Sequence, residues 1–178
     1  MAGEIKVRRT MLRRASNFSV VLGVLLLVSC GRTRFHEFRS VESCGWSRND
    51  TLSFLFDRTH EPSAGEYNLS LEVRTGASYP FKNLVARVEI LSAAGDSLIV
   101  ADTLCCVLYD DKGNREGSTA GMLYQAGSTP VPVESGDSDT LTMRVSHIMD
   151  SDVISGVYDV GLRLCSSNGH GLRQSSGK

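Results

Sequence analysis

Short runs of alternating apolar and polar residues fill most of the chain, and this alternation limits what the chain can fold into. Residues 67–74, with the sequence Tyr-Asn-Leu-Ser-Leu-Glu-Val-Arg, place every second side chain on the same side of an extended strand. Turn-forming Gly, Asp, Asn and Ser residues separate the runs, as in residues 92–97 and 110–114. A series of short strands joined by such turns is typical of an antiparallel sandwich or barrel. The sequence therefore predicts an all-β fold.

The predicted fold is a single antiparallel β-sandwich of about eight strands, immunoglobulin-like or jelly-roll-like. Only residues 145–153 have a pattern that allows a helical turn or two. The predicted strands cover residues 35–41 (a weak signal), 51–56, 67–74, 84–91, 98–109, 121–125, 140–145 and 157–164. The predicted core consists of apolar residues on one side of these strands: Leu52, Phe54, Leu69, Leu71, Val73, Val88, Ile90, Leu104, Leu141, Val160 and Leu162.

The N-terminal segment has the layout of a bacterial lipoprotein signal peptide. Arg13 and Arg14 precede an apolar run over residues 18–28, and the small residue Ser29 then precedes Cys30. The run has 11 residues, whereas a membrane-spanning helix needs about 20. The thiol of Cys30 is the nucleophile that receives a diacylglycerol. We therefore expect cleavage before Cys30, a lipid on this residue that anchors the protein to a membrane, and a location in the cell envelope.

This layout divides the chain into a signal peptide, a lipidated Cys with a tether, a sandwich domain and a polar tail. These segments cover residues 1–29, 30–40, 41–165 and 166–178. Either Met1 or Met11 can be the start, because Arg13 and Arg14 alone provide a basic head. The 149 residues from Cys30 onward are enough for one domain with its own core.

The charge of the expected mature chain excludes one class of partner. From Cys30 onward the chain has 14 basic and 19 acidic residues and hence a net charge of −5. The two signs are interspersed, so the sequence offers neither a basic face for nucleic acid nor a polybasic patch for anionic lipid. We expect no nucleic-acid partner. The membrane anchor is therefore expected to be the lipid, in which each buried methylene contributes about 0.8 kcal/mol.

The cysteines after Cys30 leave two interpretations open. In an oxidising compartment four cysteines allow three disulfide pairings. A zinc site is not favoured, because no Cys-x-x-Cys motif occurs and adjacent cysteines in a strand point to opposite faces. We favour small buried hydrophobic side chains over any specific disulfide. The four residues are Cys44, Cys105, Cys106 and Cys165.

The segment Gly-Asp-Ser-Leu at residues 95–98 matches the nucleophile block of a group of lipases and esterases. In such enzymes the serine opens a helix after a strand, and an Asp-x-x-His pair near the C-terminus supplies the base. Here Ser97 lies between two predicted strands, and the Asp-x-x-His at residues 57–60 precedes it. We therefore interpret residues 92–97 as a hairpin turn and expect no catalytic residue. A lipid-anchored hydrolase that uses Ser97 is the alternative.

No pattern indicates a metal site or a cofactor. The acidic turn at residues 110–114 lacks the alternating oxygen ligands and the closing Glu of a calcium loop, so we interpret it as a solvated turn. The histidines are far apart in sequence and none pairs at ligand spacing. We expect each to be a surface or half-buried side chain: His36, His60, His147 and His170.

Aromatic residues beside the predicted strands are the candidate partner contacts. Trp46 stands just before the first clear strand, and Tyr79 and Phe81 flank a proline in a turn that continues into Lys82. Aromatic side chains on loops are typical of protein interfaces. The same rings can instead complete the core while the proline stiffens the turn. We favour the core interpretation and keep partner contact by Trp46, Tyr79, Phe81 and Lys82 as the alternative.

A series of short motifs occurs in a fixed order over residues 40–165. It consists of Trp46 with Asp50–Phe54, then Tyr67–Leu69, Leu71–Arg74, Tyr79–Leu84, Asp102–Leu104, Asp111–Gly113 and Gly156–Leu164. This ordered series, behind a lipoprotein leader, resembles the gliding-motility lipoprotein GldH family of Bacteroidetes. The chain departs from the family pattern at Cys105 and Cys106, at residues 115–117 and in a short segment before His147.

The resemblance implies an envelope lipoprotein that supports gliding motility and the associated secretion of surface proteins. It implies partners among other envelope lipoproteins and the gliding or secretion machinery, and no enzymatic activity. The residues after Cys30 are basic and lack the acidic signal linked to surface display in this phylum, which favours the periplasmic face of the outer membrane. A periplasmic module that binds glycan or peptide remains a further alternative.

Overall fold

The computed structural model describes residues 33–42, 45–60, 65–92 and 97–167, and all regular structure within these ranges is β-strand. Residues 145–153, whose pattern allows a helical turn, form none, because one strand continues through His147 and another begins at Val153. The described residues form twelve strands: β1 (Thr33–Ser40), β2 (Trp46–Ser47), β3 (Leu52–Asp57), β4 (Glu66–Thr75), β5 (Asn83–Ser92), β6 (Leu98–Val107), β7 (Ser118–Ala120), β8 (Leu123–Gly127), β9 (Val131–Glu134), β10 (Thr140–His147), β11 (Val153–Ile154) and β12 (Val157–Ser166).

The strands form two antiparallel sheets and a small ribbon. The six-stranded sheet has the order β1-β12-β4-β8-β7, and β9 also pairs with β4. The four-stranded sheet has the order β3-β10-β5-β6, and β2 and β11 form the ribbon. The inner faces of the two sheets share one hydrophobic core. The predicted all-β antiparallel sandwich is confirmed.

The core follows the alternation of the strands. In β4, Leu69, Leu71 and Val73 are at most 1% exposed, while the alternate residues Asn68 and Ser70 face the other side. Ten of the eleven predicted core residues are at most 2% exposed, and Leu52 is partly buried against the core. The period of two therefore identified the buried face of each long strand.

The first strand begins earlier than the sequence suggested. The weak strand predicted at residues 35–41 is present as β1, which starts at Thr33. Residues 33–40, assigned from the sequence to a tether, therefore belong to the sheet. The reason is Phe35, whose ring packs at 6.4 Å from Phe54 and 5.5 Å from Phe56 between ring centroids.

The two sheets touch along one side at Ser128, which lies between β8 and β9. The Ser128 N–H donates to the Leu71 carbonyl at 2.8 Å, and its Oγ accepts from the Leu71 N–H at 3.0 Å. Ser128 also forms an isolated bridge to Cys106 of β6. The sequence did not predict β9, because Thr129 and Pro130 interrupt the alternation at this break.

Two of the strands at the sheet edges point charged side chains toward the core side. Glu37 of β1 stands opposite buried Leu162 and forms an ion pair with Arg39 at 2.7 Å. Asp102 of β6 stands opposite buried Val88 and is exposed. Inward-pointing charges are a device by which natural sheets prevent further strands from pairing with an edge.

The three described cysteines outside the leader are free thiols. Cys106 is buried, as predicted for a small hydrophobic side chain, and its thiol lies 3.3 Å from the Leu71 carbonyl oxygen. The same interpretation is wrong for Cys105, which is exposed because adjacent residues of a strand face opposite sides; Cys165 is partly buried. Cys30 and Cys44 lie outside the described residues.

Candidate functional site

One end of the sandwich gathers the predicted contact residues, and we call it the loop end. Phe81, Lys82 and Tyr79 lie in the turn between β4 and β5, and Trp46 lies in the ribbon strand β2. The loop end consists of the described residues in 41–51, 76–82, 108–117, 121–122 and 148–156. β4 ends and β12 begins at the loop end, because the two strands are antiparallel. β1 is antiparallel to β12 and therefore begins at the opposite end of the sandwich.

Tyr79 anchors the turn from inside. Its side chain is 3% exposed, its hydroxyl donates to the Asn83 carbonyl at 2.7 Å, and its ring meets Phe81 edge to face at 5.8 Å. Burial raises the pKa of the Tyr79 hydroxyl. Tyr79 is therefore a core residue that reaches the edge of the cleft with very little exposed surface. Phe81 is half-buried, and Pro80 and Lys82 are exposed.

Lys82 connects this turn to the next one. Its carbonyl accepts from the N–H groups of Leu108 at 2.9 Å and Tyr109 at 3.1 Å. Its ammonium group forms an ion pair with Asp111, and both side chains are largely exposed. The two turns are thus fixed relative to one another by backbone hydrogen bonds, to which the exposed ion pair adds little.

The second turn is held by its own acidic residue. One carboxylate oxygen of Asp110 accepts from the backbone N–H groups of Lys112 at 2.8 Å and Asn114 at 2.7 Å. The other oxygen accepts from the Asn114 side-chain amide at 2.8 Å. These bonds to Asn114 and Lys112 hold the pKa of Asp110 below its ordinary value. The Asp110 oxygens therefore stabilise the turn, as the interpretation of a solvated turn requires.

Arg115 closes the far side of this turn. Its guanidinium lies 4.8 Å from the ring centroid of Tyr109 and 3.9 Å from that of Tyr124. It also donates to the Gly76 carbonyl at 2.9 Å. A cation stacked between two rings and bonded to a third segment holds three loops in a fixed arrangement.

An open cleft of about 460 Å³ lies between the two turns. Rings supply part of its lining and charged groups its rim. Its walls are fixed by the backbone bonds of Lys82 and the contacts of Arg115, and binding to fixed loops in general costs little ordering entropy. The lining includes Pro80, Phe81, Lys82, Tyr109, Asp111 and Gly113.

Trp46 occupies the core next to a buried histidine. Its side chain has no exposed surface, and its Nε1–H donates to the Asp50 carbonyl at 3.1 Å. This burial agrees with the favoured core interpretation and leaves Trp46 no exposed surface for the alternative of partner contact. Its ring meets His147 edge to face at 5.3 Å. His147 is 2% exposed, so the expectation of a surface or half-buried side chain is wrong for this residue.

Burial and the nearby guanidinium of Arg48 lower the pKa of His147. Arg48 itself is held in place, since it donates to the Met149 carbonyl at 2.6 Å and lies 3.7 Å from the Asp152 carboxylate. The ribbon, Trp46 and His147 therefore form a packed support beneath the loop end.

The structure places the alternative nucleophile in a hairpin. Ser97 is exposed, and its carbonyl accepts from the Ser92 N–H at 2.9 Å. Residues 93–96 of the predicted turn lie outside the described residues. Asp57 uses its carboxylate locally, accepting from the Thr59 N–H at 2.9 Å. No group of three or more His, Cys, Asp or Glu side chains in the described ranges is placed to hold a metal ion.

Two charged residues with structural roles were not found from the sequence. Arg58 is 3% exposed and donates to the carbonyls of Gly136 at 3.1 Å and Ser138 at 2.8 Å, which fixes the turn between β9 and β10. Its partners lie about 80 residues away, beyond any local pattern.

Glu72 is buried although it faces outward from the six-stranded sheet. It is 6% exposed and accepts from Arg163 at 2.7 Å, Gln125 at 2.9 Å and the ring nitrogen of His36 at 3.1 Å. These partners come from β12, β8 and β1, so only the assembled sheet brings them together.

Among the described residues, no helix is long and apolar enough to cross a membrane.

The chain matches a protein-family model and a curated relative. The model of the GldH lipoprotein family matches residues 33–164. The gliding motility lipoprotein GldH of Flavobacterium johnsoniae is 35% identical over 100 residues, which are 56% of this chain and 60% of that protein. The chain therefore spans about 60% of the length of the curated relative it matches.

Solved structures give only weak likenesses. A CocE/NonD family hydrolase from Staphylococcus aureus is 10% identical with a TM-score of 0.42, over 77% of this chain and 34% of that one. The VP2 subviral particle of infectious bursal disease virus is 5% identical with a TM-score of 0.29, over the same shares. Scores this low support no argument about fold or function.

Proposed function

Because the chain belongs to the GldH lipoprotein family, we propose that this lipoprotein supports gliding motility and the associated secretion of surface proteins through protein contacts and without catalysis. The family match spans residues 33–164, and the curated relative is named for gliding motility. The lipid is proposed to be on Cys30, and the location to be the periplasmic face of the outer membrane. Other envelope lipoproteins and the gliding or secretion machinery are the proposed partners.

The observation that carries this proposal is the distribution of exposed apolar side chains. Seven large hydrophobic side chains of the described residues are exposed; three of them lie in the loop end, and two more lie in the strand ends next to it. Exposed apolar groups that gather in one region mark surfaces for binding other molecules. The five are Val107, Met122, Ile148, Val153 and Tyr158, and the other two are Leu55 and Leu98.

The polar groups of the cleft support contact rather than chemistry. Asp110 is used within its own turn, and Lys82 and Asp111 neutralise one another. A catalytic base or nucleophile needs a free reactive atom next to a partner group that activates it. The cleft instead presents a shaped surface of rings and backbone.

The proposal is tested by deleting the gene in its native host and measuring surface-exposed secreted proteins, and spreading on agar if the host glides. We expect the deletion to reduce both, and the wild-type gene to restore them. Ser97→Ala should restore them equally, whereas Cys30→Ala should lose its partition into membranes. An unchanged surface proteome after deletion would contradict the proposed function. Failure of Ser97→Ala to restore it would favour the hydrolase.

The contact surface is tested separately with Phe81→Ala. Phe81 is half-buried beside the cleft, so its truncation should shift the melting temperature by only a few degrees while function is lost. Leu55→Ala is the matched control, because Leu55 is 61% exposed and lies outside the loop end. Equal function of both variants would remove the cleft from the contact surface.

A further inference from the structure

We propose that the loop end binds a segment of a partner protein that carries apolar side chains together with an excess of Lys and Arg. The proposal rests on the proposed function, because it names the chemistry of the partner for the same surface. The partner's apolar groups would cover the exposed side chains of the loop end, and its cations would meet the surrounding carboxylates.

The charge of the loop end selects this partner. Its described loop residues include seven carboxylates and four cations, which gives a net charge of −3. A surface that combines an excess of carboxylates with exposed apolar groups favours a basic, apolar segment over an acidic one. The carboxylates belong to Glu42, Asp50, Asp110, Asp111, Glu116, Asp150 and Asp152, and the cations to Arg48, Lys82, Lys112 and Arg115.

Most of these cations already have partners inside the molecule. Arg115 is stacked between two tyrosine rings, and Arg48 is bonded to the Met149 carbonyl. Lys82 is paired with Asp111. The pairs Lys82–Asp111 and Arg48–Asp152 each cancel one carboxylate as well, so the net charge of the loop end stays −3. Glu116 and Asp150 are exposed. An incoming segment therefore meets a loop end with a net negative charge.

The loop end is built to bind without rearrangement. The backbone of Lys82 holds the turn over residues 108–117, and Arg115 holds that turn to Gly76 and Tyr124. Pro80 fixes the backbone beside Phe81. Rigid loops lose little entropy on binding, so even a modest number of apolar contacts yields affinity.

Three other occupants are disfavoured by the same features. A second copy would bring its own charge of −3 against this one. A bilayer surface with anionic lipid is repelled for the same reason. An added strand is disfavoured at β1 and β6, where Glu37 and Asp102 point toward the core side of the sheet edge.

The test uses the full-length lipoprotein in membranes of its native host. A photo-crosslinking phenylalanine derivative replaces Met122, which is 95% exposed at the loop end. The matched control carries the same derivative in place of Leu55, which is 61% exposed elsewhere. Mass spectrometry identifies the crosslinked peptide. We expect an adduct from position 122 and none from position 55, and a captured peptide with more Lys and Arg than Asp and Glu.

Charge reversal then tests the chemistry of the contact. Glu116→Lys with Asp150→Lys should reduce the adduct from position 122 about tenfold, because two weak attractions become repulsions. Glu134→Lys with Asp137→Lys, at exposed sites outside the loop end, should leave the adduct unchanged. Thermal melting of both double variants must match the wild type, so that a lost adduct reports lost contact.

Several results would overturn the proposal. They are an adduct with a second copy or with lipid, a captured peptide without a basic excess, no adduct at position 122, and an adduct that survives the loop-end reversal. The reversed strain is also tested for secretion in the deletion background. Normal secretion there would refute the basic partner and leave the proposed function intact. A deletion without phenotype would refute the proposed function independently of the crosslinks.

Discussion

Mild acid should destabilise the sandwich through His147. Burial and the nearby Arg48 lower the pKa of this imidazole below its ordinary value of 6.5, so the folded protein keeps it neutral while the unfolded chain protonates it. Because the unfolded state binds the proton first, the free energy of unfolding falls as pH decreases. This contribution is complete above pH 6.5 and is lost as pH falls from 6.5 toward the lowered pKa.

The magnitude of this pH dependence follows from the difference in the number of bound protons between the folded and unfolded states. A difference of one bound proton between the two states changes the free energy of unfolding by about 1.4 kcal/mol per pH unit. His147 is 2% exposed, so solvent does little to screen the cost of burying its charge. The slope that His147 contributes on the acid side should therefore be positive and stay below this limit. His147→Phe keeps an aromatic ring against Trp46 and removes the titrating group, so it should flatten the slope.

The assay is urea unfolding followed by circular dichroism at several pH values between about 5 and 7.5, a window that contains ordinary histidine titration. Fluorescence of Trp46, the only tryptophan, gives a second signal from the ring next to His147. The quantity of interest is the difference between wild type and His147→Phe at each pH, which cancels the other titrating groups. His60→Asn, at an exposed site, is the control and should reproduce the wild-type slope. Equal slopes for wild type and His147→Phe would refute the reasoning.

Three further outcomes are expected. Iodoacetamide should modify Cys105 and spare Cys106 in the folded protein, because Cys106 has no exposed surface and burial raises the pKa of its thiol to about 12. Peptide mapping measures the labelling of each cysteine, and equal labelling would disprove this prediction. Gly156→Ala should lower the free energy of unfolding, measured by thermal melting, by about 2–4 kcal/mol. The reason is that φ of Gly156 is +78° and that the new Cβ would lie 2.7 Å from the Tyr79 nitrogen. An unchanged melting temperature would contradict this expectation. Glu72→Gln should lower the free energy of unfolding by about 1–3 kcal/mol through weakened charge-assisted bonds, as measured in urea, and a neutral result would show that solvent replaces them.

The sequence predicted the sheets where alternation is long and uninterrupted. Residues 67–74 alternate without a break, and the buried residues of β4 are those that the pattern selects. Ser128, which divides β8 from β9, shows where this reasoning stops. It is held by backbone bonds to Leu71 of another strand, and no local pattern encodes a contact across 57 residues.

The sequence predicted the residues of the loop end only in part, because their contacts join distant parts of the chain. Proline between two aromatic residues marks the turn at Tyr79, but only the assembled fold shows that this ring points inward. Trp46 illustrates the limit more clearly. It pairs with Ile154 across the ribbon, more than a hundred residues away, and that pairing buries a side chain that the sequence alone leaves open to a partner.

The inward-facing charges on β1 and β6 have a consequence for a protein that is held at a membrane surface. A lipid-anchored protein diffuses in two dimensions, where tethering raises the effective concentration of neighbouring copies. Under that crowding, a ten-residue edge such as β6 would otherwise offer neighbours a row of pairing groups. Docking a strand there would strip water from Asp102 against an apolar face, and docking on β1 would do the same to Glu37. At these two edges the charges therefore oppose strand pairing between neighbouring copies.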